Sequence, residues 1–121
     1  MEDVKKYLRL RIYISSTDKL KNSLLYETLV YQAKRYGLAG ATVTKGIMGY
    51  GVSSVVHSYK FWEISEKVPV VVEVLDEEPL IEKFYHIILP YLKNMRYGCL
   101  VTVDKVDVWL SKPGEKPKLF K

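Results

Sequence analysis

The chain has 121 residues, a hydrophobic fraction of 48%, a charged fraction of 27% and a net charge of +5. That length suits one domain with a core of its own, read here as 1–121, and no apolar run approaches the ~20 residues a membrane-spanning helix needs. Charges interrupt the first fourteen residues where an export signal needs its apolar centre, and the single cysteine, Cys99, excludes an internal disulfide, so a cytoplasmic setting without membrane insertion is expected.

Residues 7–14 alternate. Leu8, Leu10, Ile12 and Ile14 point one way, and Arg9, Arg11 and Tyr13 the other, which predicts a strand with one buried face. Ser15, Ser16, Thr17 and Asp18 offer turn and N-cap oxygens, and a helix is expected over 19–36, with Leu20, Leu24, Leu25, Val30 and Ala33 on its apolar stripe. Gly37 suits the left-handed residue after a helix, and Leu38 the hydrophobic residue that follows it. A second strand is expected over 41–48. A loop over 49–58 follows, opened by Gly49-Tyr50-Gly51 and carrying Val52, Ser53, Ser54 and His57. Glycines at such places admit unusual backbone angles or the close approach of a ligand.

A third strand is expected to begin near Tyr59, to be interrupted at 65–67 and to resume over 68–75, where four valines favour a well-covered pleat. Asp76, Glu77, Glu78 and Pro79 form a helix start, followed by Leu80, Ile81, Phe84, Ile87 and Ile88 on one face. Pro90 should kink or end that helix, or 91–95 continue it, which leaves this boundary open. Arg96-Tyr97-Gly98 reads as a turn. A last strand over 100–110 has a slip in alternation at Asp104-Lys105 that suggests a bulge or bend, and 111–121 should be an extended tail.

The order β-α-β-β-α-β is the split βαβ, or ferredoxin-like, α+β arrangement. It places two helices on one face of a four-stranded antiparallel sheet in the order 4-1-3-2. The other face lacks a helix cover, and Tyr13, Val71, Val101 and Trp109 are candidates for it.

Chemistry-bearing motifs are sparse. Gly49-x-Gly51 lacks the third glycine and the following helix of a dinucleotide fingerprint, since Ser54 stands at that place. His57 and His86 have no partner at metal-ligand spacing, so no metal site is expected. No serine or carboxylate sits in a catalytic context, and no enzyme is expected. The basic balance favours anionic partners, although Lys and Glu with few Asn and Gln also resemble a thermophile surface. An RNA- or DNA-binding module has the same element order. Ile12-Tyr13-Ile14 and Gly49-Tyr50-Gly51-Val52 resemble fragments of its stacking motifs, but the second fragment is on the wrong strand, which disfavours nucleic acid. A ligand-free interaction module, docking through the loop, is the other alternative.

The run GLAGATVTKGIMGYGVSSVVHS, then ISEKVPVVVEVLD and a helix with Ile81, Phe84 and Pro90, resembles a small uncharacterised prokaryotic family of PII-like fold. More distantly it resembles the PII nitrogen-regulatory signalling proteins. The first resemblance covers residues 8–110. The second covers the strand order and 40–51. The resemblance implies a homotrimer with sheets packed inward and adenine nucleotides (ATP, ADP or AMP) in clefts between subunits. It also implies a large loop that regulates an unknown partner protein. Gly40 and Thr44 match the family's strand, Gly49, Tyr50 and Gly51 its loop approach, and Gly98 its phosphate-contacting turn. The lysine that the family carries after that turn is Cys99 here, and its C-terminal arginines are replaced around 109–111, leaving Arg96 and Lys112 as the cations for an anionic ligand.

Overall fold

The structure is a computed structural model that describes residues 3–50, the backbone of 57–58, and 67–115. Four strands form the main sheet: β1 (Lys5–Ser15), β4 (Ala41–Lys45), β7 (Pro69–Asp76) and β8 (Leu100–Val108), in the antiparallel order β4-β7-β1-β8. That is the expected 4-1-3-2 order read from the opposite edge. Helices α1 (Leu25–Arg35) and α2 (Glu78–Lys93) cover one face. Between them and the sheet lie Leu10, Ile12, Val70, Val72, Val74, Leu25, Leu29, Ile81, Phe84 and Ile88, all buried. The period-two pattern of β1 and β7 therefore selects the covered face, and the helical stripes supply its other half.

The first helix starts later than its apolar stripe suggests. Residues 19–24 form a small hairpin of β2 (Lys19–Leu20) and β3 (Ser23–Leu24), with Lys21 at φ 56° in its turn. Asp18 does not cap a helix with its side chain. Its carboxylate accepts the Ser15 N–H at 2.7 Å, and its backbone carbonyl accepts the Leu25 N–H at 2.8 Å. The hairpin wins because Asn22, a turn-former in the middle of the stripe, makes with Lys21 the two-residue loop between β2 and β3. At the other end the expected stop is present: Leu38 N–H reaches Ala33 O, Gly37 N–H reaches Lys34 O, and Gly37 has φ 82°. These are the paired bonds of a Schellman cap, with Leu38 buried against the core.

Two further expectations change, and the open boundary at Pro90 closes. The strand expected over 41–48 leaves the sheet after Lys45, where Gly46 N–H donates to Pro69 O at 2.7 Å, and a two-residue strand β5 (Met48–Gly49) follows. Helix α2 runs through Pro90 to Lys93, because buried Leu92 holds its last turn on the core. Strand β8 has no bulge: its register against β1 is continuous from Lys5↔Val108 to Tyr13↔Leu100. The slip at Asp104-Lys105 reflects an edge strand poorly covered on both faces.

That register also reassigns one residue. Val101 lies opposite Ile12, on the helix side and against the core, not on the open face. Tyr13 and Val71 are paired on the open face, and Trp109 lies beyond the last paired residue, exposed. Leu100, Thr102, Asp104 and Val106 complete the open face on β8.

Two cross-strand ion pairs lie on that face. Arg9 bonds Asp104 in fork geometry at 3.1 and 2.5 Å, and Arg11 Nε bonds Glu73 at 3.0 Å. The Arg9 hydrogen bond holds the Asp104 carboxyl below its ordinary range. A depressed folded-state pKa stabilises the fold above the unfolded carboxylate pKa, and that contribution is lost as pH falls through the folded value. Asp104→Asn should therefore flatten the acid limb of a stability-versus-pH curve. The effect is small because the pair is open to solvent. Urea midpoints across the acid range test this, and an acid limb identical to the parent's would refute it.

Candidate functional site

The loop expected over 49–58 has a zipped root. Met48 and Gly49 pair with Ser58 and His57 of β6 (His57–Ser58). Gly51, Val52, Ser53 and Ser54, and the strand expected from Tyr59, lie outside the described residues, as does the tail beyond Glu115. The side of the root that faces the sheet is set by Pro69. A Cβ on Gly49 would stand 3.0 Å from its Cγ, and one on Gly46 would stand 3.2 Å from the same atom. These glycines serve close approach to the proline ring, whereas the left-handed φ belongs to Gly37.

Under this root lies a cavity of about 280 Å3. The end of β1 contributes Tyr13, Ile14 and Ser15, and the turn after it contributes Asp18. The loop root contributes Gly46, Met48, Gly49 and Tyr50. Lys67, Pro69 and Val71 come from the start of β7, and Tyr97 and Gly98 from the turn before β8. Antiparallel pairing of β1 with both neighbours brings these segments to one end of the sheet.

The lining is mostly apolar, with three tyrosines and a polar corner. Lys67 Nζ lies 4.6 Å from the centre of the Tyr97 ring, and Arg96 Cζ lies 5.4 Å from the same centre. One ring thus gathers two cations. Arg96 opens onto a neighbouring hollow of about 230 Å3 that also has Thr17, Lys19 and Met95, and that shares Asp18 and Tyr97 with the main cavity. In the polar corner Asp18 and Ser15 are buried, and Ser15 Oγ has no hydrogen-bond partner among the described residues. Burial, with a smaller contribution from the Asp18 charge, pushes the Cys99 thiol pKa up. Cys99 is therefore a neutral thiol where a lysine would bring charge.

Of the residues singled out from sequence, Gly49, Tyr50 and Gly98 line the cavity, and Arg96 stands behind Tyr97. Gly40 precedes the far end of β4, Thr44 lies opposite Val71 on the open face, and Lys112 lies in the exposed segment after β8; none of them lines this cavity. His57 is placed only through its backbone pairing with Gly49. Sequence reasoning missed Ser15, Asp18, Lys67, Pro69 and Tyr97. The signal is chemical: Ser-Ser-Thr-Asp after a strand offers turn and N-cap oxygens, and the same oxygens form a polar corner of a site. Tyr13 and Tyr50, the two aromatics of the RNA-like fragments, meet at this one cavity instead of spreading over a flat sheet. The cations beside Tyr13, Arg9 and Arg11, are engaged by Asp104 and Glu73. Among the described residues no group of three or more His, Cys, Asp or Glu is placed to hold a metal, and no helix is long and apolar enough to cross a membrane.

Comparison with known proteins adds a family and a fold. The family model DUF190, described as Uncharacterized ACR, matches residues 7–108. A UPF0166 protein of Aquifex aeolicus (strain VF5) is 38% identical over 108 residues, covering 89% of this chain and 97% of the relative. A UPF0166 protein of Methanocaldococcus jannaschii is 36% identical over 95 residues, covering 78% of this chain and 85% of the relative. Among solved structures, CPII is a nitrogen regulatory PII-like protein from Thiomonas intermedia K12, bound to ADP, AMP and bicarbonate. It superposes with a TM-score of 0.67 at 16% identity, covering 88% of this chain and 91% of CPII. At that identity the likeness establishes a shared PII-like fold.

Proposed function

The chain belongs to the DUF190 family, and from that membership we propose that it is a PII-like signalling protein that binds an adenine nucleotide at the loop root and acts on a partner protein through the loop. The observation that carries this reading is the cavity itself. It joins the root of the loop (Met48, Gly49, Tyr50) to the Tyr97-Gly98 turn, so a ligand there touches both the sheet and the segment that would report its presence. ADP and AMP bound to CPII, a neighbour of the same fold, support the choice of ligand class.

The functional unit on this reading is a homotrimer. Tyr7, Tyr13, Val71, Leu75, Leu100 and Val106 share the face that no helix covers, and burying that face between protomers removes apolar surface from water. Lys112 stands outside the cavity of its own protomer, so a phosphate contact from it requires a neighbouring subunit.

Light scattering should give three times the monomer mass. Titration calorimetry with ATP, ADP, AMP and cyclic nucleotides should give saturable binding to at least one of them. Silence across that panel overturns the nucleotide reading, and a monomer at working concentration overturns the trimer. Loop docking without any small ligand then becomes the surviving account.

A further inference from the structure

On the reading that the protein acts on a partner, we infer that the partner meets the loop end of the domain with an acidic segment of its own chain, seated between the β2-β3 hairpin and the end of α2. Strand β1 runs into this end, α1 starts from it, and α2 returns to it. The hairpin and the end of α2 therefore lie side by side. Lys19 and Arg96 line one hollow of about 230 Å3, and Lys21 and Asn94 line a second of about 500 Å3. The first hollow borders the loop-root cavity at Asp18 and Tyr97.

The way cations are paired separates this surface from the open sheet face. On that face Asp104 bonds Arg9 and Glu73 bonds Arg11, two negative charges against two positive. A face neutralised within its own protomer meets a copy of itself without repulsion. At the loop end Lys19, Lys21, Lys93 and Arg96 are exposed, and none has a carboxylate within ion-pair distance among the described residues. Lys93 lies in the last turn of α2, where the helix dipole accounts for it. Lys19, Lys21 and Arg96 lie outside the helices. The described carboxylates here are Asp18, buried on the Ser15 N–H, and Glu27, in the first turn of α1. Copies of this end repel one another, and an acidic surface is drawn to it.

Shape narrows the partner to a protein segment. Leu20, Pro90, Tyr91 and Met95 line the two hollows, so apolar surface lies between the charged groups. A segment that mixes carboxylates with apolar side chains satisfies both. A nucleic-acid backbone brings charge alone and leaves the apolar surface in water, and a flat bilayer surface stays outside the hollows. Arg96 is already placed for a carboxylate. Its Cζ stands 5.4 Å from the centre of the Tyr97 ring, and a guanidinium held over a ring keeps its N–H edge for an incoming acid.

Titration of the full chain with a fluorescent peptide of Glu-Glu-Leu repeats, with single-stranded DNA and with phosphatidylglycerol vesicles tests the inference. The peptide should bind, and more weakly as salt is raised. Lys19→Glu with Lys21→Glu should weaken it at least about tenfold. Lys34→Glu with Lys83→Glu, the same change of net charge at exposed helix positions, should weaken it less than about threefold. Equal losses in the two variants would show that net charge alone attracts the peptide, and would overturn the inference. DNA or vesicles bound more tightly than the peptide through Lys19 and Lys21 would overturn it too. Calorimetry with AMP keeps the two readings apart, since Lys19→Glu with Lys21→Glu should leave AMP affinity unchanged. A silent peptide with AMP still bound overturns this inference alone, and silent nucleotides with the peptide bound overturn the nucleotide reading alone.

Discussion

Gly49→Val should remove nucleotide binding while leaving the sheet and helices folded. A Cβ at this position stands 3.0 Å from Pro69 Cγ, closer than side chains tolerate. The proline ring has little freedom to yield: its φ is fixed, and its carbonyl is held by the Gly46 N–H at 2.7 Å. The strain is therefore relieved by lifting the loop root, which carries Met48 and Tyr50 away from the cavity they line. The valine methyls also take up part of its volume. Overpacking of this kind costs about 1–3 kcal/mol of stability, which leaves the domain folded, and losing the contacts of Met48 and Tyr50 should cost about 2 kcal/mol of binding energy, roughly thirtyfold in affinity. The root itself survives, because Gly49 pairs with His57 in a strand geometry that valine favours. Gly114→Ala, at a position with nothing within 4 Å, is the matched control. Wild-type affinity in Gly49→Val, measured by calorimetry, would detach the loop root from the binding site.

Asp76→Ala should produce the largest loss of stability among polar substitutions. Asp76 ends β7, is buried, and uses both carboxylate oxygens. Oδ2 accepts the Ala39 N–H at 2.9 Å, and Oδ1 accepts the Glu77 N–H at 2.8 Å. One side chain thus ties the exit of α1 to the entrance of α2 across the end of the sheet. Alanine leaves both N–H groups without that acceptor, at about 1–3 kcal/mol each, so a total of about 2–5 kcal/mol is expected. For a domain of this size the melting temperature should fall by on the order of 10 °C. Asp76→Asn keeps one acceptor oxygen and should recover about half of the loss. Urea unfolding measures both variants, and a loss below about 1 kcal/mol in Asp76→Ala would show that water replaces the carboxylate at no cost.

The two substitutions separate what holds the fold from what forms the site. Asp76 lies at the end of β7 remote from the cavity, whereas Gly49 and Pro69 lie at its rim. The first should move stability without changing the selectivity among nucleotides. The second should weaken binding of every nucleotide, with a smaller loss of stability.

Much of this architecture was legible in residue order alone. Alternation in 7–14 identified the buried face of β1, the valines of 68–75 marked β7 as a well-covered strand, and Gly37-Leu38 marked the end of α1. The signals that misled were local ones overridden by their surroundings. The stripe in 19–25 suggested helix, but the Lys21-Asn22 turn makes a hairpin there, and the Asp18 carbonyl takes the first helical N–H. Pro90 left the end of α2 open between a stop and a continuation over 91–95, and packing of Leu92 carries the helix to Lys93. The slip at Asp104-Lys105 suggested a bulge, but the Arg9 pair and continuous register keep the edge strand regular.

The candidate site was legible only at its glycine-rich rim. Gly49, Tyr50 and Gly98 stand out because glycine beside an aromatic is a local feature. Ser15, Asp18, Lys67 and Tyr97 carry no mark that separates them from turn and surface residues.

By itself, the sequence determined the β-α-β-β-α-β order, the face that each central strand buries and the absence of a paired cysteine, because periodicity and composition act along the chain. Tertiary structure decided the rest. The register of β8 against β1 put Val101 under the helices and brought the Tyr97 turn beside the end of β1. Pairing of β7 with β1 set Pro69 beneath Gly46 and Gly49. A strand presents side chains to both faces in alternation, and only the position of its partner settles which neighbours those side chains meet. The cavity is made of such meetings, so it exists in the sheet and in none of its segments.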